Sequence, residues 1–121
     1  MSGRRSRNKG AAGEREFLRA LGDELGESLQ RNLVQSRDGG ADCIQLRGWA
    51  IEVKRCEQMR RPTWWRQAQA AAEALGVQPM LAYRRNREPW RIWAQWPGAT
   101  VREMGVIEAA DAIREKWSMW P

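Results

Sequence analysis

From about Gly13 to Ser28, apolar residues recur at three- and four-residue steps, at Phe17, Leu18, Leu21, Leu25 and Leu29, which is the period of one face of an amphipathic helix. The period then shortens. Asn32 to Ser36, Ala41 to Leu46 and Trp49 to Arg55 read as strands, separated by the turn sequences Asp38-Gly39-Gly40 and Arg47-Gly48. After Pro62 a second helix is expected over Thr63 to Leu75, with Thr63 at its cap and Gly76 ending it. Pro79 to Arg84 and Trp90 to Gln95 form two further strands across an arginine-rich turn. A last helix, Val106 to Lys116, turns Ile107, Ala110, Ile113 and Trp117 inward. Helix, three strands, helix, two strands, helix is an α/β order, and it predicts a mixed β-sheet of about five strands flanked by helices. Ahead of it, residues 1–12 carry Arg4, Arg5, Arg7 and Lys9, no acid and no apolar pattern, and read as a flexible basic arm before a single domain over residues 13–121.

A chain of 121 residues suits one core. Lysine and arginine outnumber aspartate and glutamate by 21 to 15, a balance that favours a polyanionic partner, because guanidinium groups grip phosphate oxygens in a fixed fork and cations gain affinity by releasing condensed counterions. No apolar run is long enough to span a membrane, and the start Met1-Ser2-Gly3-Arg4-Arg5 lacks the apolar core of a secretory signal, so a cytoplasmic protein is expected. Cys43 and Cys56 suggest reduced thiols in or near the core rather than a disulfide or zinc framework. Histidine is absent. Mechanisms that need an imidazole as base, nucleophile partner or metal ligand are thereby excluded, and any hydrolytic chemistry falls to carboxylates, lysine and a metal.

In Ile51-Glu52-Val53-Lys54-Arg55 apolar and charged residues alternate, so a strand sends Ile51 and Val53 to the core and presents Glu52 and Lys54 together on the other face. The spacing is weak evidence by itself, since Glu-x-Lys arises by chance about once in every two chains of this length. Asp42 adds to it. It starts the preceding strand just past a glycine turn, where hairpin pairing can bring its carboxylate beside Glu52. Two carboxylates aimed at one point need a cation between them, and oxygen ligation without histidine suits Mg²⁺ or Mn²⁺. Lys54 then gains a role, orienting a water or neutralising charge on a phosphate. A third acid, Glu14, opens the first helix. Glu16 is the alternative, and because the two are about 200° apart on a helix only one of them can face the metal.

The succession Lys9-Gly10, Glu14-Arg15-Glu16, Arg37, Gly40-Ala41-Asp42 and Ile51-Glu52-Val53-Lys54 resembles the PD-(D/E)XK nuclease superfamily, in particular archaeal-type Holliday junction resolvases and small phage-encoded nucleases. Trp65-Arg66-Gln67-Ala68, the stretch from Gln78 to Asn86 and Glu88-Pro89-Trp90 extend the likeness to about residues 9–95; Ala41 stands where the name-giving proline would be. The resemblance implies a restriction-endonuclease-like sheet. It implies that Asp42 and Glu52 ligate Mg²⁺, which Mn²⁺ can replace, with the Val53 carbonyl and Glu14. Lys54 would be the catalytic lysine and Gln67 a polar residue pointing into the site. Hydrolysis of a DNA phosphodiester by a metal-activated water, leaving 5′-phosphate and 3′-hydroxyl ends, follows from it. A resolvase of four-way junctions, serving DNA recombination and repair, is expected to be a symmetric homodimer, in the host cytoplasm if phage-encoded. A nickase, repair or restriction-type nuclease acting on duplex or branched DNA is the first rival reading, and a non-catalytic basic protein that coats or bends DNA the second.

Lys9, Arg15, Arg37, Arg55, Arg60, Arg61 and Arg66 are the expected DNA contacts, and Arg84, Arg85, Arg87 and Arg91 form a second basic cluster around the later turn. Of the eight tryptophans, Trp49, Trp93 and Trp117 fall on apolar faces and are expected in the core. Trp64, Trp65, Trp90, Trp96 and Trp120 are ambiguous, and Trp64-Trp65, beside the basic cluster, is the best candidate for a contact with DNA or a partner subunit.

Overall fold

A computed structural model describes residues 2–29, 46, 48–96 and 98–117, with side chains over 10–29, 46, 48–96 and 98–115. Helix α1 (Ser2–Leu25) is followed by strand β1 (Trp49–Arg55), helix α2 (Arg61–Leu75), strands β2 (Gln78–Arg84), β3 (Arg91–Ala94) and β4 (Arg102–Met104), and helix α3 (Val106–Trp117). The strands lie in the order β1-β2-β3-β4. β1 and β2 are parallel, joined by the crossover helix α2, and the β2–β3 and β3–β4 pairs are antiparallel, so the sheet is mixed.

Strand parity divides the core in two. Phe17, Leu18, Leu21 and Leu25 of α1 and Ala109, Ala110 and Ile113 of α3 pack with Ile51, Val53, Met80, Ile92 and Met104 on one face of the sheet. On the opposite face Trp64, Trp65 and Ala68 of α2 cover Leu81 and Tyr83, and Ala72 packs on Ala50. β2, apolar on both faces, is buried through its middle residues, as a strand covered on both sides must be.

The helix ends follow glycine. At Gly76 (φ 69°) the chain turns left-handed, so the Gly76 and Val77 amides donate back to the carbonyls of Glu73 and Ala72 and satisfy the last turn of α2. Gly26 (φ 74°) closes α1 in the same manner, the Glu27 amide donating to the Gly22 carbonyl. Gly48 is also left-handed (φ 88°), and the Trp49 amide beside it donates to the Leu46 carbonyl.

Several expectations change. α1 starts at Ser2, so the backbone of residues 2–12, read as a flexible arm, is helical. α2 starts at Arg61 with Pro62 in its first turn, and Thr63 lies inside it, where its hydroxyl accepts from Arg66. Ile107 is 64% exposed rather than inward. Ala109 takes its place because the stripe packed on the sheet runs through Val106, Ala109, Ala110 and Ile113, and Ile107 lies about 100° around the helix from its centre. β4 was not expected, while the strands predicted over 32–36 and 41–46 lie outside the described residues save Leu46, which is fully buried. Among the described residues no helix is long and apolar enough to cross a membrane.

Candidate active site

Glu52 and Lys54 project from the face of β1 that also carries Ala50, toward α2, while Ile51 and Val53 face α1. One alternation sorts both sets. The two charged groups form an ion pair, Lys54 Nζ to Glu52 Oε2 at 3.3 Å, with side chains 31% and 20% exposed, so they are reachable yet partly shielded. β1 is an edge strand among the described strands. Its outer edge is where the strand expected at 41–46 would add. Asp42 and Arg37 themselves lie outside the described residues, and Val53, whose carbonyl was the expected third ligand, is at the centre of β1's outgoing half.

Gln67 can be located by register. α2 returns antiparallel to β1, since it links two parallel strands, and Ala71 packs at the Ala50–Ala72 contact. One helical turn back from Ala71, about 6 Å, stands Gln67, and two residues on from Ala50, also about 6 to 7 Å, stands Glu52. Gln67 is exposed on α2.

The two acids of α1 are placed differently. Glu16 is held by arginines from the sheet: Arg84 Nε donates to its Oε1 at 2.6 Å, and Arg55 NH1 lies 3.5 Å from Oε2. The Arg84 hydrogen bond, with the charges of Arg84 and Arg55, outweighs desolvation and lowers the Glu16 pKa below the ordinary carboxylate value. Glu14 instead shares the inward stripe with Leu18, Leu21 and Leu25, at i+4, i+7 and i+11, and is half-buried. α1 lies on the sheet face opposite Glu52. An ion touching both Glu14 and Glu52 therefore cannot sit over either face of the sheet alone.

Arg55 is engaged inside the protein: beyond Glu16, its NH2 donates to Asn86 Oδ1 at 3.0 Å, and the position where a Gly13 Cβ would stand is 3.2 Å from its Cβ. Arg15, Arg60, Arg61 and Arg66 are exposed; Arg61 lies 5.8 Å over the Tyr83 ring and Arg66 bonds Thr63. Lys9 is in the helical backbone of α1. Trp64 and Trp65, ambiguous in the sequence and the best candidates for a DNA or subunit contact, are core residues, 6% and 9% exposed, packed edge-on or tilted against Tyr83 and Trp93. Trp90 and Trp96 are buried too, against Phe17 and Trp49. Cys56 is a free thiol, half-buried against the α2-side core.

Two networks had no sequence signal. One is Glu16 with Arg84 and Arg55, whose partners are about 40 and 70 residues apart and meet only because β1 and β2 pair in the register Arg55↔Arg84. The other is Glu103, whose Oε1 accepts from both Tyr83 Oη at 2.6 Å and Trp93 Nε1 at 2.8 Å. These bonds lower the Glu103 pKa, while burial and the bond to Glu103 raise that of Tyr83.

Among solved structures the chain is similar to the Holliday junction resolvase Hjc of the archaeal hyperthermophile Archaeoglobus fulgidus, with a TM-score of 0.56 and 20% identity over 84% of this chain and 99% of that one. That likeness is one of fold. No curated protein matches the sequence. The family model described as "Phage putative PDDEXK endonuclease" matches residues 5–104, a span that holds β1, α2 and all of the sheet, and the chain belongs to that family of phage PDDEXK endonucleases.

Proposed function

We propose that the chain is a divalent-metal-dependent endodeoxyribonuclease that hydrolyses branched DNA, the four-way junction above all, with Glu52 and Lys54 at the centre of its site. The observation that carries this is the carboxylate–ammonium pair on one face of β1, 3.3 Å apart and partly exposed, in a chain of the PDDEXK endonuclease family.

The donors suit a hard cation. Histidine is absent from the chain, and among the described residues no three His, Cys, Asp or Glu side chains converge, so Glu52 needs further oxygens from Asp42, the Val53 carbonyl and Glu14. Such a donor set fits Mg²⁺, with Mn²⁺ as substitute. The ion, when bound, supplies Lewis acidity toward phosphate and makes water more acidic. Lys54 contributes a compact positive charge that can donate to a non-bridging phosphate oxygen as charge builds there. Gln67 carries an amide that can orient a water toward phosphorus from the α2 side. Hydrolysis adds the hydroxyl of water to phosphorus and a proton to the departing 3′ oxygen, leaving 5′-phosphate and 3′-hydroxyl ends.

The junction is favoured by the fold shared with an archaeal resolvase. A two-fold substrate calls for a symmetric pair of sites, hence a homodimer. A labelled synthetic four-way junction and a linear duplex, each incubated in Mg²⁺ and in EDTA, test the substrate: paired symmetric nicks in the junction alone support resolvase activity. Equal cutting of the duplex rejects it in favour of a nickase, repair or restriction-type nuclease.

A further inference from the structure

The turn between β2 and β3 lies at the carboxyl ends of the parallel strands β1 and β2, the end to which Lys54 and Arg55 belong. Almost every polar group in it is fixed. The Glu88 amide donates to the Arg85 carbonyl, making a β-turn with Asn86 and Arg87 at its centre. Arg84 NH1 donates to the carbonyls of Arg85 and Glu88. The Asn86 amide donates to Glu57 Oε2 at 2.6 Å and Arg85 Nε to the Glu57 carbonyl at 3.1 Å, which stitches the turn to the segment between β1 and α2. Arg55 adds its bond to Asn86.

Arg87 is the exception. It is exposed, and its guanidinium has no hydrogen-bond, ion-pair or ring partner among the described residues. Its backbone is at φ 65°, the only positive φ of a non-glycine residue among those described. The position is the third of the β-turn, where glycine or asparagine is usual because a Cβ is crowded there. A backbone outlier of this kind is a reason to ask what its side chain does. Here a residue in the left-handed region keeps a long, exposed cationic side chain on a turn otherwise held by hydrogen bonds.

We propose that Arg87 is a DNA phosphate contact outside the cleavage site, presented by the braced β2–β3 turn so that the DNA backbone crosses the carboxyl ends of β1 and β2. This rests on DNA being the substrate. Arg84 pairs with Arg55, and no more than about 10 Å of chain separates Arg84 from Arg87. The step from Lys54 to Arg55 and the crossing to Arg84 add about 8 Å, so at about 3.4 Å of rise per nucleotide in a strand Arg87 falls within about five nucleotides of a phosphate at the Glu52–Lys54 pair. Arg60, exposed at the head of α2 on the same end of the sheet, extends the path. A braced turn suits phosphate binding, since with its backbone already held in place Arg87 has only side-chain freedom to lose when it binds.

The test compares the parent with Arg87→Gly by fluorescence anisotropy on a labelled linear duplex in EDTA, over a series of salt concentrations, together with thermal melting of the free proteins. Glycine relieves the backbone and removes the charge. The expected result is a Tm equal to or above the parent's, with a log–log salt slope shallower by about 0.9, so that between about 50 and 200 mM salt the parent loses about 3.5-fold more affinity than the variant. An unchanged slope overturns the proposal. Should glycine lower the Tm, Arg87→Gln, which keeps the backbone demand and removes only the charge, decides by the same slope. Cleavage by the parent in Mg²⁺ is scored separately, so failure of the nuclease reading leaves the binding result to stand or fall alone.

Discussion

Replacing Glu16 with Gln removes a negative charge that two arginines share while keeping the side chain's size. Arg84, only 15% exposed, then loses its ionic acceptor, and Arg55 loses its second partner beyond Asn86. A hydrogen bond between charged groups contributes about 1.5–3 kcal/mol when shielded. Glu16 is 37% exposed, so solvent screening reduces this, and the amide oxygen of glutamine recovers part of the bond; a loss of about 1 kcal/mol at pH 7 is expected. The loss should depend on pH in a defined direction. Because the folded-state pKa of Glu16 lies below its ordinary value of 4.5, its contribution is complete above that value and fades as pH falls through the lower folded pKa, where the carboxyl takes up a proton. Urea denaturation of parent and Glu16→Gln at a series of pH values measures it. The stability difference should be constant from neutral pH to about pH 5 and shrink in more acid solution. A difference near zero at pH 7, or one that persists unchanged at the acid end, would refute the assignment of Glu16 to the Arg84–Arg55 clamp.

Two further outcomes follow from the α2-side core. Trp64→Ala should cost about 3–5 kcal/mol of stability in denaturant unfolding, whereas a tryptophan reserved for DNA would be lost at little cost to stability. Tyr83 is the sole tyrosine of the chain, so its ionisation is readable from tyrosinate absorbance: the midpoint should lie above the ordinary value of 10.0 and move down in Glu103→Gln, which removes a carboxylate that favours the neutral phenol. A midpoint at or below 10.0 in the parent would contradict the buried Tyr83–Glu103 bond.

Much of this could be read from the sequence wherever local chemistry and tertiary position agreed. β1 was bounded at Trp49 and Arg55 because its alternation matches a strand with one helix-covered face on each side, and Gly76 ended α2 because only a left-handed residue closes the Ala72 and Glu73 carbonyls. Residues 2–12 offer no apolar period, so nothing in them announced that α1 continues back to Ser2. β4 has three residues, too few for alternation to register, and is defined by its pairing with Ile92 to Ala94. Trp64 and Trp65 are ambiguous in the sequence for a related reason. Adjacent residues on a helix point about 100° apart, and both are buried here because α2 lies on the sheet against Tyr83 and Trp93. For the candidate site, the Glu52–Lys54 pair was visible as a spacing, but the engagement of Glu16 was not: its partner Arg84 is supplied by a strand far along the chain.

The central claim is that Glu52 holds a catalytic divalent ion, and cleavage of DNA by the parent and by Glu52→Gln, each in Mg²⁺, Mn²⁺ and EDTA, tests it most directly. Cleavage by the parent in either metal, none in EDTA, and a loss of at least about 100-fold in Glu52→Gln with anisotropy-measured DNA binding retained is the predicted result. Cleavage by Glu52→Gln at the parent's rate, or no cleavage by the parent in any metal, would contradict it.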